Sequence, residues 1–223
     1  MRKFFCFMAK KKRLRIAAVK TIPNVTHAGA QLKGRWPSIF HNEHPITLEL
    51  GCGKGDYTLA LAQKHPQRNF IGVDLKGARL WVAANKALDL ELKNVFYIRA
   101  NALDLAEIFE ANDIAEVWIP FPDPYPKKPR KRMTAPRYLD IYKKICRPGA
   151  MFHLKTDDDV FYLFSIESLQ QYGCTIHQNS TDVHSCPEVD DNVRITTFYE
   201  SKHIATGLLI KYIEFTLPEE NMV

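Results

Sequence analysis

One carboxylate, Asp123, lies in a proline-rich stretch that is followed by five cationic residues. The stretch from 120 to 132 reads PFPDPYPKKPRKR. Proline fixes its own φ and disfavours helical geometry in the residue before it. We therefore expect extended geometry at the four residues that precede a proline, namely Phe121, Asp123, Tyr125 and Lys128. A carboxylate held beside clustered cations indicates chemistry on a nucleic acid. A solvated surface loop is the alternative.

A glycine-rich turn is the second feature that could bind a ligand. Residues 46–50 have the pattern of a buried strand, which leads through Gly51-Cys52-Gly53-Lys54-Gly55 into a helical pattern over 56–64. Glycine permits positive φ and close approach of a ligand, and a helix N-terminus presents free N–H groups. The next predicted strand, over 69–74, ends in Asp74, where doubly wound folds contact ribose hydroxyls. A nucleotide-like ligand is indicated.

The glycine spacing separates two classes of nucleotide cofactor. A dinucleotide fingerprint, G-x-G-x-x-G, would require glycine at position 56, where this chain has Asp56. S-adenosylmethionine has no pyrophosphate, so a G-x-G-x-G turn preceded by Glu49 suits its methionine end better. The turn therefore favours S-adenosylmethionine over NAD. The alternative is a glycine-rich turn that binds no ligand.

Composition indicates one enzyme-sized domain. The chain has 223 residues, of which 46% are hydrophobic, enough for a full core. No segment is long and apolar enough to span a bilayer, and the apolar start at 1–9 ends in the cations of 10–13, too early for a signal peptide. The five cysteines are widely spaced without a C-x-x-C pair, so neither disulfides nor a metal site is indicated. We expect a cytoplasmic protein with no membrane partner.

The net charge of +6 is concentrated at the N-terminus. Residues 1–42 contain ten Lys or Arg and no acid, which leaves 21 bases against 25 acids in the remainder. We predict a basic, partly disordered arm over 1–42 and one folded domain over 43–223. Such an arm is typical of proteins that contact nucleic-acid phosphates. A solvated tail is the alternative.

Helical and strand patterns alternate along the rest of the chain, which predicts an α/β fold with a mostly parallel, doubly wound sheet. Helices are expected at 76–90, 103–110, 135–145 and 158–172. Strands are expected at 95–99, 115–119, 150–155, 174–178 and 208–215. The longest irregular segment, 179–197, interrupts a strand pair at the sheet edge, and long loops in compact domains are usually functional or disordered.

Four motifs in order give the chain a resemblance, over 46–215, to the bacterial tRNA (guanine-N7)-methyltransferases of the TrmB family. Residues 49–55 (ELGCGKG) are similar to that family's first cofactor motif, and 121–128 (FPDPYPKK) resemble its F-P-D-P-W-x-K-K signature. Residues 153–157 (HLKTD) resemble its K-T-D element, and 197–202 (TFYESK) its T-x-[FY]-E-x-[KR] element. The chain departs from the family pattern at Tyr125 (usually tryptophan), Asn101 (often aspartate) and Pro129 (usually histidine or arginine).

The resemblance implies a Rossmann-like, class I S-adenosylmethionine-dependent methyltransferase. It implies methyl transfer from S-adenosylmethionine to N7 of the variable-loop guanine at position 46 of tRNA. Guanine N7 has an in-plane lone pair and needs no strong base, so the enzyme must align it with the methyl group and stabilise the cation that forms. The implied partner is tRNA, with no obligatory protein partner, and the chain is expected to be a monomer or homodimer.

The same resemblance implies a role for eleven residues. Asp123 is the expected catalytic group. The expected cofactor contacts are Glu49, Gly51, Gly53, Asp74, Asn101 and Asp123. The expected substrate contacts are Lys127, Asp157, Thr197, Tyr199 and Glu200.

Structural explanations compete with several of these roles. Asp157 and Asp158 could cap the helix that begins near 158, Thr197 and Glu200 could be exposed strand residues, and Lys127 could belong to a solvated run. Two other functions also compete. One is a methyltransferase for another base or a protein, since Asp123-Pro124-Tyr125 loosely resembles an N-P-P-Y motif. The other is a non-catalytic RNA-binding or assembly subunit with the same fold, which a cofactor titration would distinguish.

Overall fold

A computed structural model describes residues 14–15, 18–27 and 29–219. Eight strands form one sheet: β1 (Val25–His27), β2 (Ile46–Leu50), β3 (Asn69–Val73), β4 (Val95–Arg99), β5 (Ile114–Pro120), β6 (Cys146–Thr156), β7 (Thr175–Ser180) and β8 (Lys211–Thr216). Helices cover both faces: α1 (Trp36–Phe40), α2 (Asp56–Lys64), α3 (Gly77–Asp89), α4 (Pro136–Ile145), α5 (Asp159–Tyr172) and α6 (Phe198–Ala205).

The strand order is β1-β4-β3-β2-β5-β6-β8-β7, and it determines where along the sheet a ligand can bind. All neighbouring strands are parallel except β6–β8 and β8–β7, which are antiparallel. The chain builds outward from β2 to β4 and then returns to the other side of β2 as β5. Such a reversal opens a crevice at the carboxyl ends of the strands, where open α/β sheets bind ligands. The glycine turn and the Asp123 loop follow β2 and β5 and therefore meet there.

The core lies in two layers on opposite faces of the sheet. One layer is packed under α4 and α5 and includes Leu139, Tyr142 and Phe161, all fully buried. The other lies under α2 and α3 and includes Tyr57 and Leu80. Residues 181–197, most of the segment 179–197 that was predicted to be irregular, run over this second layer and bury Val183, Val189 and Val193 in it. These residues are therefore packed as a strap, and we refer to 181–197 by that name.

Most predicted elements are present within a few residues, but β1 and α1 lie in the predicted arm, where no strand or helix was predicted. The predicted helix 103–110 is a short 3-10 turn at Ala102–Glu107, and α6 lies where no helix was predicted. Helix α6 begins at a capping box, in which Thr197 accepts from the Glu200 N–H and the Glu200 carboxylate accepts from the Thr197 N–H. Capping boxes are a recognisable start signal, so T-F-Y-E could have been identified as a helix start.

The described part of the predicted N-terminal arm is packed on the domain. Strand β1 pairs with β4, and the Trp36 ring of α1 stacks on Phe109 with ring centroids 5.1 Å apart. Residues 1–13, which hold most of the arm's cations, lie outside the described residues. Nowhere in the described ranges does a helix have the length and apolar character needed to cross a membrane.

Candidate functional site

The turn after β2 is built by glycines in a conformation that other residues adopt at a cost. Gly51, Gly53 and Gly55 have φ values of 75°, 58° and 75°. Their backbone donors bond within the protein: Gly51 N–H donates to the Val73 carbonyl and Gly53 N–H to Asp74 Oδ2 (3.0 Å). The glycines were expected to give positive φ and close approach of a ligand, and these two amides are not free to bind one. Instead they tie the turn to β3, and the turn offers shape and close approach.

Asp74 lies just beyond β3 and organises the turns around it. Its Oδ2 accepts from Gly53 N–H, and its Oδ1 accepts from Lys76 N–H at 2.6 Å. Arg79 Nη1 lies 4.0 Å from the same carboxylate. Asn101, beyond β4, accepts from Leu103 N–H at 3.0 Å and so starts the 3-10 turn. Each side chain holds a loop at the carboxyl edge of the sheet, with acceptor capacity remaining.

Glu49 is the penultimate residue of β2 and lines the crevice. Its side chain is buried and accepts a hydrogen bond from the Thr58 hydroxyl of α2. Burial raises the pKa of Glu49 from 4.5 to about 7, because desolvation disfavours the carboxylate more than the Thr58 hydrogen bonds favour it. Near neutral pH this side chain is therefore poised between its two protonation states, as functional carboxyl groups often are.

The loop after β5 holds Asp123 through a strained backbone. Extended geometry was expected at Phe121 and Tyr125 because each precedes a proline, and this is wrong: their φ values are 52° and 42°. A non-glycine residue at positive φ costs about 1–3 kcal/mol of conformational free energy, and such residues concentrate at functional sites. The loop is held by Phe121 N–H, which donates to the Lys155 carbonyl (2.8 Å), and by Arg132 Nε, which donates to the Pro124 carbonyl (2.8 Å). Asp123 is thus fixed, yet it is exposed at the crevice.

Two adjoining cavities, each of about 340 Å³, meet at Gly51, Arg79 and residues 121–123. The inner cavity is lined by the residues after β3 and β4, including Asp74 and Asn101, and by Tyr125 and Tyr138. The outer cavity is lined on the glycine-turn side by Glu49, Gly53 and Tyr57, and on the far side by Asp157, Thr197, Tyr199 and His203. Asp123 is the carboxylate that lines both.

Asp157 follows β6 and belongs to the far wall of the outer cavity. Its Oδ2 lies 2.7 Å from Nδ1 of His203, and its carbonyl accepts from Lys211 Nζ at 2.9 Å. The neighbouring Asp158 caps α5 by accepting from Phe161 N–H at 2.6 Å. Capping therefore accounts for Asp158, whereas the Asp157 carboxylate remains part of the cavity wall.

Glu200 does not reach the cavity. It is fully buried and forms an ion pair with Lys155, whose Nζ lies 2.8 and 2.9 Å from the two carboxylate oxygens. His184 Nε2 lies 3.2 Å from Oε1 of the same carboxylate. Lys155 Nζ also donates to the Val193 and Ile195 carbonyls, at 2.6 and 3.2 Å. Glu200 is therefore neither an exposed strand residue nor a cavity residue. It joins α6 and the strap to β6.

The cationic segment divides into exposed and buried members. Lys127, Lys128, Arg130 and Lys131 are exposed, and Lys127 lines neither cavity. Arg132 is buried, with its guanidinium carbon 4.5 Å from the centre of the Phe164 ring. Four of the five cations can therefore meet a polyanion, and the fifth supports the Asp123 loop.

The structure brings most predicted site residues together and adds three that were not among the predicted site residues. Glu49, Gly51, Gly53, Asp74, Asn101, Asp123, Asp157, Thr197 and Tyr199 all line the two cavities. Lys127 and Glu200 do not. The added residues are Arg79 and His203 in the wall and Lys155 beneath it. A buried lysine at a strand end, such as Lys155 in HLKTD, could have been identified as a residue needing a partner, because a lysine is rarely fully buried unpaired.

Comparison with known proteins agrees with this geometry. A family model described as "Putative methyltransferase" matches residues 43–212. The chain is 41% identical to a Porphyromonas gingivalis tRNA (guanine-N(7)-)-methyltransferase over 86% of this chain and 80% of the relative. It is 35% identical to the protein of the same name from Bacteroides thetaiotaomicron, over 97% and 89%.

Similar solved structures come from more distant methyltransferases. The 16S rRNA methyltransferase KamB has a TM-score of 0.64 at 15% identity, over 82% of this chain and 93% of that one. A structure described as an antibiotic-related methyltransferase has a TM-score of 0.63 at 16% identity, over 88% and 98%. At such identities the likeness concerns the fold, and it confirms the Rossmann-like class I methyltransferase architecture.

Proposed function

Because the chain belongs to the tRNA (guanine-N7)-methyltransferase family, we propose that it transfers the methyl group of S-adenosylmethionine to N7 of the guanine at position 46 of tRNA. The observation that supports this best is the place of Asp123. It lies where the inner cavity, suited to a nucleoside, meets the outer cavity, whose glycine-turn side suits a methionine group and whose far wall suits a base. A group transferred from one ligand to the other must pass this point.

The charge of the outer cavity fits a cationic cofactor better than a pyrophosphate. Its wall contains five carboxyl side chains and two Lys or Arg: Glu49, Asp56, Asp123, Asp157 and Asp158 against Lys54 and Arg79. Clustered carboxylates attract a cation and repel a phosphate. When bound, S-adenosylmethionine supplies an electrophilic methyl group on a positively charged sulfonium. We assign Glu49, Gly51 and Gly53 to its methionine part, Asp74 to its ribose and Asn101 to its adenine.

The substrate side of the cleft positions a base that becomes positively charged. Tyr199 is 48% exposed and offers an aromatic face, while Asp157 and Thr197 offer oxygen atoms. Single-stranded bases are commonly recognised by stacking on such rings and by hydrogen bonds to their edges. Methylation of N7 creates a cation on the guanine ring, and the carboxylate of Asp123 stabilises it electrostatically. No residue needs to remove a proton from N7.

The remaining predicted residues act away from the chemistry. We assign Lys127 to tRNA phosphates, because it is exposed and lies outside both cavities. We assign Glu200 a positioning role, because its ion pair with Lys155 sets the place of the α6 N-terminus, where Thr197 and Tyr199 enter the cavity wall.

Methylation of bulk tRNA with radiolabelled S-adenosylmethionine tests the function directly. We expect N7-methylguanosine as the labelled nucleoside, and aniline cleavage after reduction within the variable loop. A transcript with adenine at position 46 is the matched control and should accept no label. Label in another nucleoside, or cleavage at another position, would overturn the proposal.

A further inference from the structure

His203 is a wall residue of the outer cavity that none of the four sequence motifs contains. Its Nδ1 lies 2.7 Å from Oδ2 of Asp157, and the two side chains are 30% and 28% exposed. This nitrogen is enclosed, and its geometry meets the criteria for a hydrogen bond neither with Asp157 nor with any other residue in the described part of the chain. Oδ2 of Asp157 is the carboxylate oxygen in contact with this nitrogen, and a rotation of either side chain would direct an Nδ1–H towards it.

His203 is held between two parts of the cleft by its backbone and by its ring. Its backbone carbonyl accepts from Thr206 N–H and Leu208 N–H, at 3.0 and 3.1 Å, which closes the C-terminal end of α6. Its ring centroid lies 6.1 Å from that of Phe121, in the loop that carries Asp123. The ring therefore connects the residue after β6 with the loop after β5.

The hydrogen-bonding groups of guanine suggest what the contact between Asp157 and His203 could do. When N7 faces the methyl donor, the opposite edge of the base, with N1–H and the exocyclic amino group, faces away from it. Both groups are donors, and a carboxylate can accept from both at once. Such a carboxylate discriminates well only if its orientation is fixed before the base arrives, because ordering it on binding costs free energy. The contact with His203 restricts the Asp157 carboxylate, and a hydrogen bond from Nδ1–H to Oδ2 would fix it while leaving acceptor sites on both oxygens.

We propose that His203 is a positioning residue for base recognition: its Nδ1–H orients the Asp157 carboxylate to accept from N1–H and the amino group of the target guanine. This inference rests on the proposed function and adds to it a determinant of guanine specificity. It gives His203 no role as a base, since N7 carries no proton to remove. Any protonation state with a hydrogen on Nδ1 can fill the role.

The test compares three replacements on two tRNA substrates. His203→Asn keeps a donor near the Nδ1 position, His203→Gln places its donor near Nε2 instead, and His203→Leu has none. The substrates carry guanine or inosine at the target position; inosine keeps N7 and N1–H but lacks the amino group. His177→Leu is the matched control, because His177 lies exposed on the edge strand β7 and contacts Thr216.

We expect His203→Leu and His203→Gln to lower kcat/KM for the guanine substrate about tenfold, the effect of losing one hydrogen bond to a charged group. The loss should be mainly in KM, and the preference for guanine over inosine should fall with it. His203→Asn should restore both values towards wild type, and His177→Leu should change neither. Cofactor affinity, measured by calorimetry, should be unchanged in all four variants.

Three results would overturn the inference. They are an unchanged kcat/KM in folded His203→Gln, an equal loss on guanine and inosine, and a His203→Asn variant no better than His203→Gln. If His203→Leu does not fold, the comparison of Asn with Gln decides the question alone. In each of these cases a wild-type protein that still produces N7-methylguanosine leaves the proposed function standing. A wild-type protein that does not produce N7-methylguanosine would overturn both the proposed function and the inference about His203.

Discussion

Lys155 and Glu200 form a fully buried ion pair, in which Nζ lies 2.8 and 2.9 Å from the two carboxylate oxygens. The pair joins the carboxyl end of β6 to the first turn of α6, and it places Thr197 and Tyr199 beside the cavity that Asp123 enters. Burial lowers the pKa of the Lys155 ammonium, and the carboxylate of Glu200 opposes that shift. The geometry of the far wall of the outer cavity therefore depends on two charged groups that no solvent reaches.

Removing one member of this pair should be more harmful than removing both. We expect Glu200→Leu to lower the free energy of unfolding by about 3–5 kcal/mol, because Lys155 is left buried without its counter-charge. The double variant Lys155→Met/Glu200→Leu should recover much of that loss. Urea denaturation of the wild type, both single variants and the double variant measures the coupling. Strictly additive losses would contradict an energetic link between the two side chains.

Asp123→Asn should separate folding from catalysis. The replacement keeps the size of the side chain and one acceptor but removes the negative charge that, in the proposed function, stabilises the guanine cation. We expect normal folding and tRNA binding, with a loss of about 10²–10³ in the single-turnover rate of methyl transfer. Rapid-quench measurement with excess enzyme gives this rate. A folded variant with a near-wild-type rate would show that Asp157, Thr197 and Tyr199 suffice.

Glu49 should make stability depend on pH. Because burial raises its pKa from 4.5 to about 7, the folded protein holds a proton that the unfolded chain releases in this interval. The contribution of Glu49 to the free energy of unfolding is therefore fully present below about pH 4.5 and is lost as the pH rises through 7. The loss amounts to about 3 kcal/mol at most, and Glu49→Gln should abolish it. Denaturation midpoints at about pH 5 and pH 8 test this; equal pH slopes in the two proteins would refute the shifted pKa.

Two glycines of the turn after β2 offer a matched pair of substitutions. Gly51 and Gly55 share a φ of 75°, so alanine is strained by about 1–3 kcal/mol at either position. A Cβ at Gly55 would also overlap the Tyr97 hydroxyl and lie 2.8 Å from the Ala83 Cβ, whereas one at Gly51 meets no atom within 4 Å.

We therefore expect Gly55→Ala to be less stable than Gly51→Ala by about 1–3 kcal/mol, the usual cost of overpacking. Gly51→Ala should remain folded and lose affinity for S-adenosylmethionine, because Gly51 lines both cavities. Thermal unfolding and calorimetric titration measure the two effects. Wild-type affinity in Gly51→Ala would argue against a cofactor at the turn.

The cations of the Asp123 loop should divide into two functional classes. Replacing Lys127, Lys128, Arg130 and Lys131 with glutamine should weaken tRNA binding and reduce its salt slope by about 0.7–0.9 for each phosphate that is no longer neutralised. Arg132→Gln should instead destabilise the protein, because Arg132 donates to the Pro124 carbonyl and packs on Phe164. Filter binding at several salt concentrations and urea denaturation distinguish the two.

The N-terminal cations provide a comparison for that experiment. Deleting residues 1–13, which lie outside the described residues, should also reduce the salt slope of tRNA binding and leave cofactor affinity unchanged. If the deletion leaves the salt slope of tRNA binding at its wild-type value, this segment is a solvated tail.

Local features of this protein could be predicted from its sequence because they depend on neighbouring residues. The glycine turn follows from backbone freedom at 51–55, and the strands and helices around it follow from hydrophobic periodicity. The order of strands, turns and acids placed Glu49, Asp74, Asn101 and Asp123 at one edge of the sheet, since the carboxyl ends of parallel strands meet there. The family resemblance rests on the same local motifs.

Tertiary structure alone decided which side chains face the cleft and which are enclosed. Glu200 and Arg132 look like exposed charges in the sequence, yet packing buries both against distant partners. The contact between Asp157 and His203 joins the end of β6 to α6, and no spacing rule relates the two positions. The positive φ values of Phe121 and Tyr125 also run against the local preference before proline. Such side-chain pairings and strained backbone conformations arise only when separate elements are packed together. The contacts between the elements must then outweigh the local conformational preference of each segment.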